Sequence, residues 1–154
     1  MIGRRLGMLG AAAWSVWPAV ARDAGLLEVW RDPNCGCCFG WVRHLRTAGF
    51  TVRDIVAPTL EPIRRMLGTP ADLLSCHAGR IDGYVLEGHV PAAAIRRLLA
   101  ERPTGIRGLA VPEMPIGSPG MEVPGQPDDI YEVIAFDGSQ QRIIFMRFQG
   151  GRAL

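Results

Sequence analysis

The chain contains no lysine, so all 17 of its basic residues are arginine. Lysine-based chemistry is therefore excluded, and we read the arginine-only set as coding bias rather than as a functional signal. Histidine is limited to three residues and aromatics to 7%. No phosphate-cradling glycine loop, paired-carboxylate site, nucleophile triad or internal repeat stands out in the 154 residues. Gly117-Ser118-Pro119-Gly120 lacks the strand-to-helix context of a nucleophile elbow. What remains is 48% hydrophobic and 21% charged, enough for one ordinary domain with a core that needs neither metal nor disulfides.

Long apolar runs are also missing, apart from Leu6 to Ala21. That stretch follows Arg4-Arg5, is interrupted by Pro18 and ends in Ala19-Val20-Ala21 ahead of Arg22-Asp23. A positive start, a short apolar middle and an A-x-A site are the parts of a secretory signal, and the run is short for a membrane span. We expect residues 1–21 to be a cleaved signal peptide and residues 22–154 to be the mature domain in the periplasm, without stable membrane insertion. The Arg pair permits twin-arginine export, although its flanking residues match that signal poorly. Removing Arg4 and Arg5 leaves 15 arginines against 15 acidic residues. A neutral domain exerts no general pull on nucleic acid or anionic membrane.

Three of the four cysteines fall in Cys35-Gly36-Cys37-Cys38. The run follows the strand-like Leu26-Leu27-Glu28-Val29-Trp30 and opens an amphipathic segment from Phe39 to Ala48, in which Trp41, Val42, Leu45 and Ala48 recur at helical spacing. At such a junction the helix dipole and free N–H groups favour thiolate, which is both the nucleophile of disulfide exchange and a soft metal ligand. An oxidising compartment allows disulfides, but Cys37–Cys38 would be strained and Cys35–Cys37 closes a very tight loop. An ordinary structural disulfide framework fits this spacing poorly.

Further along, Phe50 to Val56 alternates as a strand, Thr59 is positioned to cap a helix reaching Leu67, and Tyr84 to Leu86 reads as a strand. Cys76 to Ala78 reads as its partner, and Pro91 opens a helix from Ala92 to Glu101. The order β-α-β-α-β-β-α predicts an α/β fold, a thioredoxin-like domain with a mixed sheet. In that topology the third strand starts near the C-x-x-C pair, which brings Cys76 to the other thiols. Thr104 to Gln126 reads as an irregular, functional Gly/Pro/Met-rich loop. Tyr131 to Phe136 and Arg142 to Phe148 form a C-terminal β-hairpin around Asp137-Gly138, added to the core sheet.

The candidate metal ligands are Cys35, Cys37, Cys38, Cys76, His89, Met114 and Met121. Thiolate, imidazole and thioether together select Cu(I) over hard cations. Zinc is less favoured, because structural zinc usually draws on two separated knuckles and Cys76 stands alone. His44 reads as a surface or packing residue and His77 as a satisfied polar one, and the sequence leaves open whether either contributes to the site. Met66 and Met146 read as core. No catalytic residue is assigned.

Several stretches, taken in order, resemble the periplasmic CopG-type copper-resistance proteins (not the small DNA-binding repressor of the same name), formerly described as a metal-binding domain of unknown function. These are Asp32-Pro33-Asn34-Cys35-Gly36-Cys37-Cys38, Trp41 to Leu45, Ser75-Cys76-His77, Gly83 to Pro91 and Gly108 through Met121. Glu113 and Ala78 depart from the family pattern, where Gly and Thr are usual. The resemblance implies a thioredoxin-like fold, a Cys-rich copper centre, partners among other periplasmic copper-handling proteins, and redox interconversion of copper. The alternative is a thiol–disulfide oxidoreductase using Cys35 and Cys38. A zinc-stabilised adaptor ranks last.

Overall fold

The computed structural model describes residues 25–139 and 141–154; the expected signal peptide lies outside them. The elements are β1 (Leu27–Arg31), α1 (Gly36–Thr47), β2 (Val52–Val56), α2 (Glu61–Leu67), a 3₁₀ turn (Ala71–Leu73), β3 (His77–Ile81), β4 (Tyr84–Gly88), α3 (Ala92–Glu101), β5 (Gly108–Val111), β6 (Ile130–Phe136), β7 (Arg142–Gln149) and β8 (Arg152–Ala153). One eight-stranded mixed sheet runs β2-β1-β3-β4-β5-β6-β7-β8. β1 is parallel to β2, and β3 is antiparallel to both β1 and β4. These directions are compatible with the thioredoxin-like class expected from the sequence. Among the described residues no helix is long and apolar enough to cross a membrane.

Strand alternation divides the apolar residues between two layers. Leu27, Val29, Ile81, Leu86, Leu109 and Val133 pack on one face against Trp41, Val42 and Leu45 of α1 and Ile95 and Leu98 of α3. Trp30, Ala78, Val85, Ala110 and Phe136 pack on the other face with Leu67 of α2 and Leu73.

The structure corrects three sequence expectations. α1 starts at Gly36 rather than Phe39, so Cys37 and Cys38 form its first turn. Thr59 does not cap α2, which starts at Glu61 after Leu60 with no side-chain cap. The segment from Thr104 to Gln126 is not irregular throughout, because Gly108–Val111 is a wholly buried strand parallel to β4. Covered on both faces, β5 shows no alternation to read. Gly108 is required there, since a Cβ would collide with the Val85 carbonyl and the Phe136 ring. Through β5 the C-terminal hairpin joins the main sheet, β6 pairing antiparallel with β5.

On the α2 face the Glu87 carboxylate is fully buried. It accepts from Arg64 Nη2 at 2.6 Å and from the Ser75 N–H at 2.9 Å. Arg64 also donates to the Ser75 carbonyl, so the pair fixes the backbone immediately before Cys76. Burial pushes the Glu87 carboxyl above its ordinary value, while Arg64 and the Ser75 amide pull it down. A carboxyl held high in the folded state destabilises the fold as pH rises and it ionises; protonation relieves that cost. Arg64→Ala, which strands the buried charge, is expected to cost about 3 kcal/mol at pH 7. Urea unfolding should show a smaller loss at pH 4, where Glu87 takes up a proton.

Candidate metal centre

An Asx turn leads into the site, with the Asn34 N–H donating to Asp32 Oδ1 at 2.7 Å. Cys35 follows in extended conformation as the N-cap of α1, and its sulfur accepts from the Cys38 N–H at 3.3 Å. The first turn of α1 carries no acidic side chain, so the positive end of the helix faces sulfur alone.

Cys35 and Cys38 are joined as a disulfide with Cα atoms 5.3 Å apart, while Cys37 and Cys76 are free thiols. Cys37 Sγ lies 3.4 Å from Cys35 Sγ and 3.7 Å from Cys76 Sγ. All four sulfurs fall within 4.8 Å of one another. The β-α-β-α-β order thus does bring Cys76 to the other three. The disulfide occupies two of the thiols, so a four-thiolate donor set requires its two-electron reduction.

Cys76 also faces two imidazoles. His77 Nδ1 and His89 Nε2 each lie 3.2 Å from its sulfur. Both rings are fully buried. His77 packs against Trp41 with centroids 4.3 Å apart and meets the edge of His89 at 4.8 Å. Gly79, two residues along β3, carries no Cβ to press on the Trp41 ring, which already sits in contact distance. Trp41 Nε1 donates to the Val90 carbonyl at 2.9 Å, tying α1 to the chain beside His89. His89 Nδ1 is 2.8 Å from the Pro119 carbonyl, which can only accept. The proton therefore sits on Nδ1, and Nε2 turns its lone pair toward Cys76. This is the arrangement by which supporting groups orient a metal ligand.

The Gly/Pro/Met-rich loop is ordered against this site. Gly117, Ser118 and Pro119 are buried, and their backbone groups bond within the loop: Gly117 N–H to the Met121 carbonyl at 2.9 Å, Met121 N–H to the Ser118 carbonyl at 2.7 Å. Gly120, at φ +91°, crosses α1 so closely that a Cβ would strike the Cys37 carbonyl and the Trp41 amide. Met121 follows it, half-buried, at the same end of α1. Met114 is instead half exposed and lines an open cleft with Pro112, Tyr131 and Arg147. His44 stays outside the cluster, its Nε2 accepting from the Ala92 N–H at the start of α3 at 3.1 Å.

Sequence reasoning left the part of His77 open and passed over Pro119. A Cys-His pair was visible, but neighbours on a strand face opposite ways, and only the break before β3 lets Cys76 turn toward the His77 ring. Pro119 acts through its carbonyl, for which no residue type is a signal.

Burial, and then the neighbouring Cys37, pushes the Cys76 thiol up to about 12. Burial holds His77 well below its ordinary value, with His89 adding to the effect, and burial also lowers His89. At neutral pH the metal-free centre therefore holds a thiol and two uncharged imidazoles. Iodoacetamide should modify Cys76 at pH 8 at least about tenfold more slowly than an ordinary exposed thiol, because the thiolate is the nucleophile. Peptide mapping should show the Cys76 rate still climbing above pH 10.

A family model described as "Protein of unknown function, DUF411" matches residues 73–121, the stretch from the approach to Cys76 through Met121. No curated protein matches. Two solved structures, described as Form 1 and Form 2 of the copper resistance protein CopG, are similar over most of the chain. Form 1 is 42% identical, with 82% of this chain and 99% of that chain covered and a TM-score of 0.75. Form 2 is 42% identical, with 80% and 97% covered and a TM-score of 0.74. Identity at that level over nearly the whole of both relatives makes this chain a member of the CopG copper-resistance family.

Proposed function

We propose that this is an exported periplasmic protein that takes Cu(I) as its cargo, held by Cys35, Cys37, Cys38 and Cys76 in their reduced form. The observation that carries this reading is the convergence of four sulfurs within 4.8 Å of one another at the positive end of α1. Thiolates that close can bridge more than one soft ion. His89, already oriented by Pro119, and Met121, the residue after Gly120 in the loop that packs on α1, would complete the donor set. Met114 belongs at the exposed margin rather than at the centre. Such a protein would withdraw Cu(I) from the periplasm, pass it to another copper-handling protein or take part in its oxidation. Each role fits copper resistance, the property named for the CopG relatives.

The Cys35–Cys38 disulfide favours one second reading, thiol–disulfide exchange with Cys35 as the attacking thiolate. Cys37 weighs against it. A free thiol 3.4 Å from the pair invites side bridges in an exchange enzyme.

Reduced protein, titrated anaerobically with Cu(I) against a competing chelator and in the presence of zinc, is expected to retain several Cu(I) per chain. Cys35→Ser and Cys76→Ser should each sharply reduce retention; full stoichiometric binding by both variants would sink the four-thiol centre. Reduction of insulin that disappears in Cys35→Ser but is indifferent to Cys76→Ser would favour the exchange reading. Intact mass of protein recovered from the periplasm should correspond to a chain beginning at Arg22. An uncleaved chain retained in the membrane would refute export with cleavage.

A further inference from the structure

We propose that His44 is a positioning residue. From α1 it caps the first N–H of α3, and with Trp41 it clamps the two backbone groups on either side of Pro91, which fixes where the His89 segment stands against the cysteine helix. The inference rests on His89 belonging to the Cu(I) donor set.

The segment from Gly88 to Ala92 carries the chain from the end of β4 into α3, and its backbone bonds account for its shape. The Val90 N–H donates to the Gly88 carbonyl at 2.9 Å, a γ-turn with His89 at its centre. Beyond that turn the segment has no cap of its own. Pro91, the N-cap of α3, offers neither a side-chain acceptor nor an N–H. Two side chains of α1 supply what is missing. Trp41 Nε1 donates to the Val90 carbonyl at 2.9 Å, and His44 Nε2 accepts from the Ala92 N–H at 3.1 Å. Trp41 and His44 are three residues apart on the helix and so share a face. Val90 and Ala92 are both buried, so loss of either contact leaves a backbone group without a partner where water does not replace it. Pro91 holds φ at −63° between the two points, which leaves the clamp little slack.

The hydrogen bond also fixes the His44 ring. An amide N–H only donates, so Nε2 presents its lone pair and the proton sits on Nδ1. A second proton would set two donors against each other and place a cation at the positive end of α3. Among the described residues, Glu122 of the loop is the carboxylate that favours the charged ring, and burial opposes it more strongly. The first turn of α3 has no acidic side chain, and α1 adds only Arg43 and Arg46, both exposed. The clamp is therefore closed at neutral pH and opens as His44 gains its proton, below the ordinary histidine range.

The test uses isotope-labelled, metal-free protein followed by magnetic resonance. His44 is expected in the Nδ1–H tautomer at neutral pH, and the Ala92 amide resonance should move with the same midpoint as the His44 ring. His44→Gln, whose side-chain carbonyl accepts without titrating, should remove that midpoint and keep Ala92 protected from hydrogen exchange. His44→Phe and His44→Ala, which cannot accept, should each lower that protection about fivefold, the net worth of one hydrogen bond. Both should displace the His89 ring resonances at neutral pH, and His44→Gln should leave them at their wild-type positions. Cu(I) affinity should fall in His44→Phe and His44→Ala, hold in His44→Gln, and respond to none of the three once His89→Ala is present. The proposal is overturned if Ala92 ignores the His44 titration, if the His89 resonances stay in place without an acceptor at position 44, or if the loss of affinity is absent or persists without His89. The wild-type titration decides the first point whether or not the variants fold. A wild type that takes up no Cu(I) sinks the Cu(I) reading, while the metal-free resonances still report whether His44 positions His89.

Discussion

The antiparallel pairing of β1 with β3, which sets Arg31 opposite His77, is the constraint on which the centre depends. β1 leaves the sheet toward the Cys35 turn, and β3 is entered through Cys76, so this register brings the two segments out at the same end. It also fixes sidedness. His77 and Ile81 face α1 and α3, where Trp41 meets the His77 ring, whereas Ala78 faces α2. A one-residue slip would exchange these faces, turning the imidazole away from the thiols and putting a methyl group in its place. The chemistry at the sheet end is therefore specified by the same hydrophobic alternation that specifies the core.

Two further contacts hold the segments that the strands do not. On the α2 side, Glu87 and Arg64 grip both backbone groups of Ser75. On the α1 side, Gly120 lies against Cys37 and Trp41, and Pro119 holds His89. Cys76 is caught between these anchors. Its thiol stays protonated and the neighbouring imidazoles stay neutral because burial penalises every charged form. Loss of the Cys76 proton thus becomes favourable chiefly when a cation arrives to compensate the buried negative charge. Proton release and metal uptake are one event at this position.

The cysteine run, the strand before it and the helix after it were legible because each has a local signature: thiol spacing, an apolar run and a 3.6-residue period. The approach of Cys76 was legible one level higher, from the order of elements. What escaped were features with no local signature. β5 is a four-residue strand buried on both faces, so its sequence, Gly-Leu-Ala-Val, shows neither alternation nor length. The earlier start of α1 escaped because Cys37 and Cys38 are weak helix signals, and Cys35 caps with sulfur rather than with the usual oxygen. The part of His77 stayed open because its proximity to Cys76 depends on where β3 begins, a boundary that periodicity does not fix. Met114 and Met121 look alike in the sequence, yet they occupy different surroundings. The positive-φ turn at Gly120 folds the loop back onto α1 just before Met121, whereas Met114 lies in an exposed cleft.

The disulfide and a thiolate-bound cation draw on the same sulfurs, and that competition gives the centre its thermodynamic logic. A ligand that binds only the dithiol form stabilises it by an amount that, well above the dissociation constant, grows with the logarithm of the free ligand concentration relative to that constant. At a free concentration one hundred times its dissociation constant, the stabilisation is about 2.7 kcal/mol. For a two-electron couple this corresponds to raising the reduction potential of the Cys35–Cys38 pair by about 60 mV. Cation binding to all four thiols thus makes the disulfide easier to reduce, and loss of the cation makes it easier to form. If the four thiols hold a cation as proposed, metal content and thiol oxidation become linked quantities, each changing the equilibrium of the other.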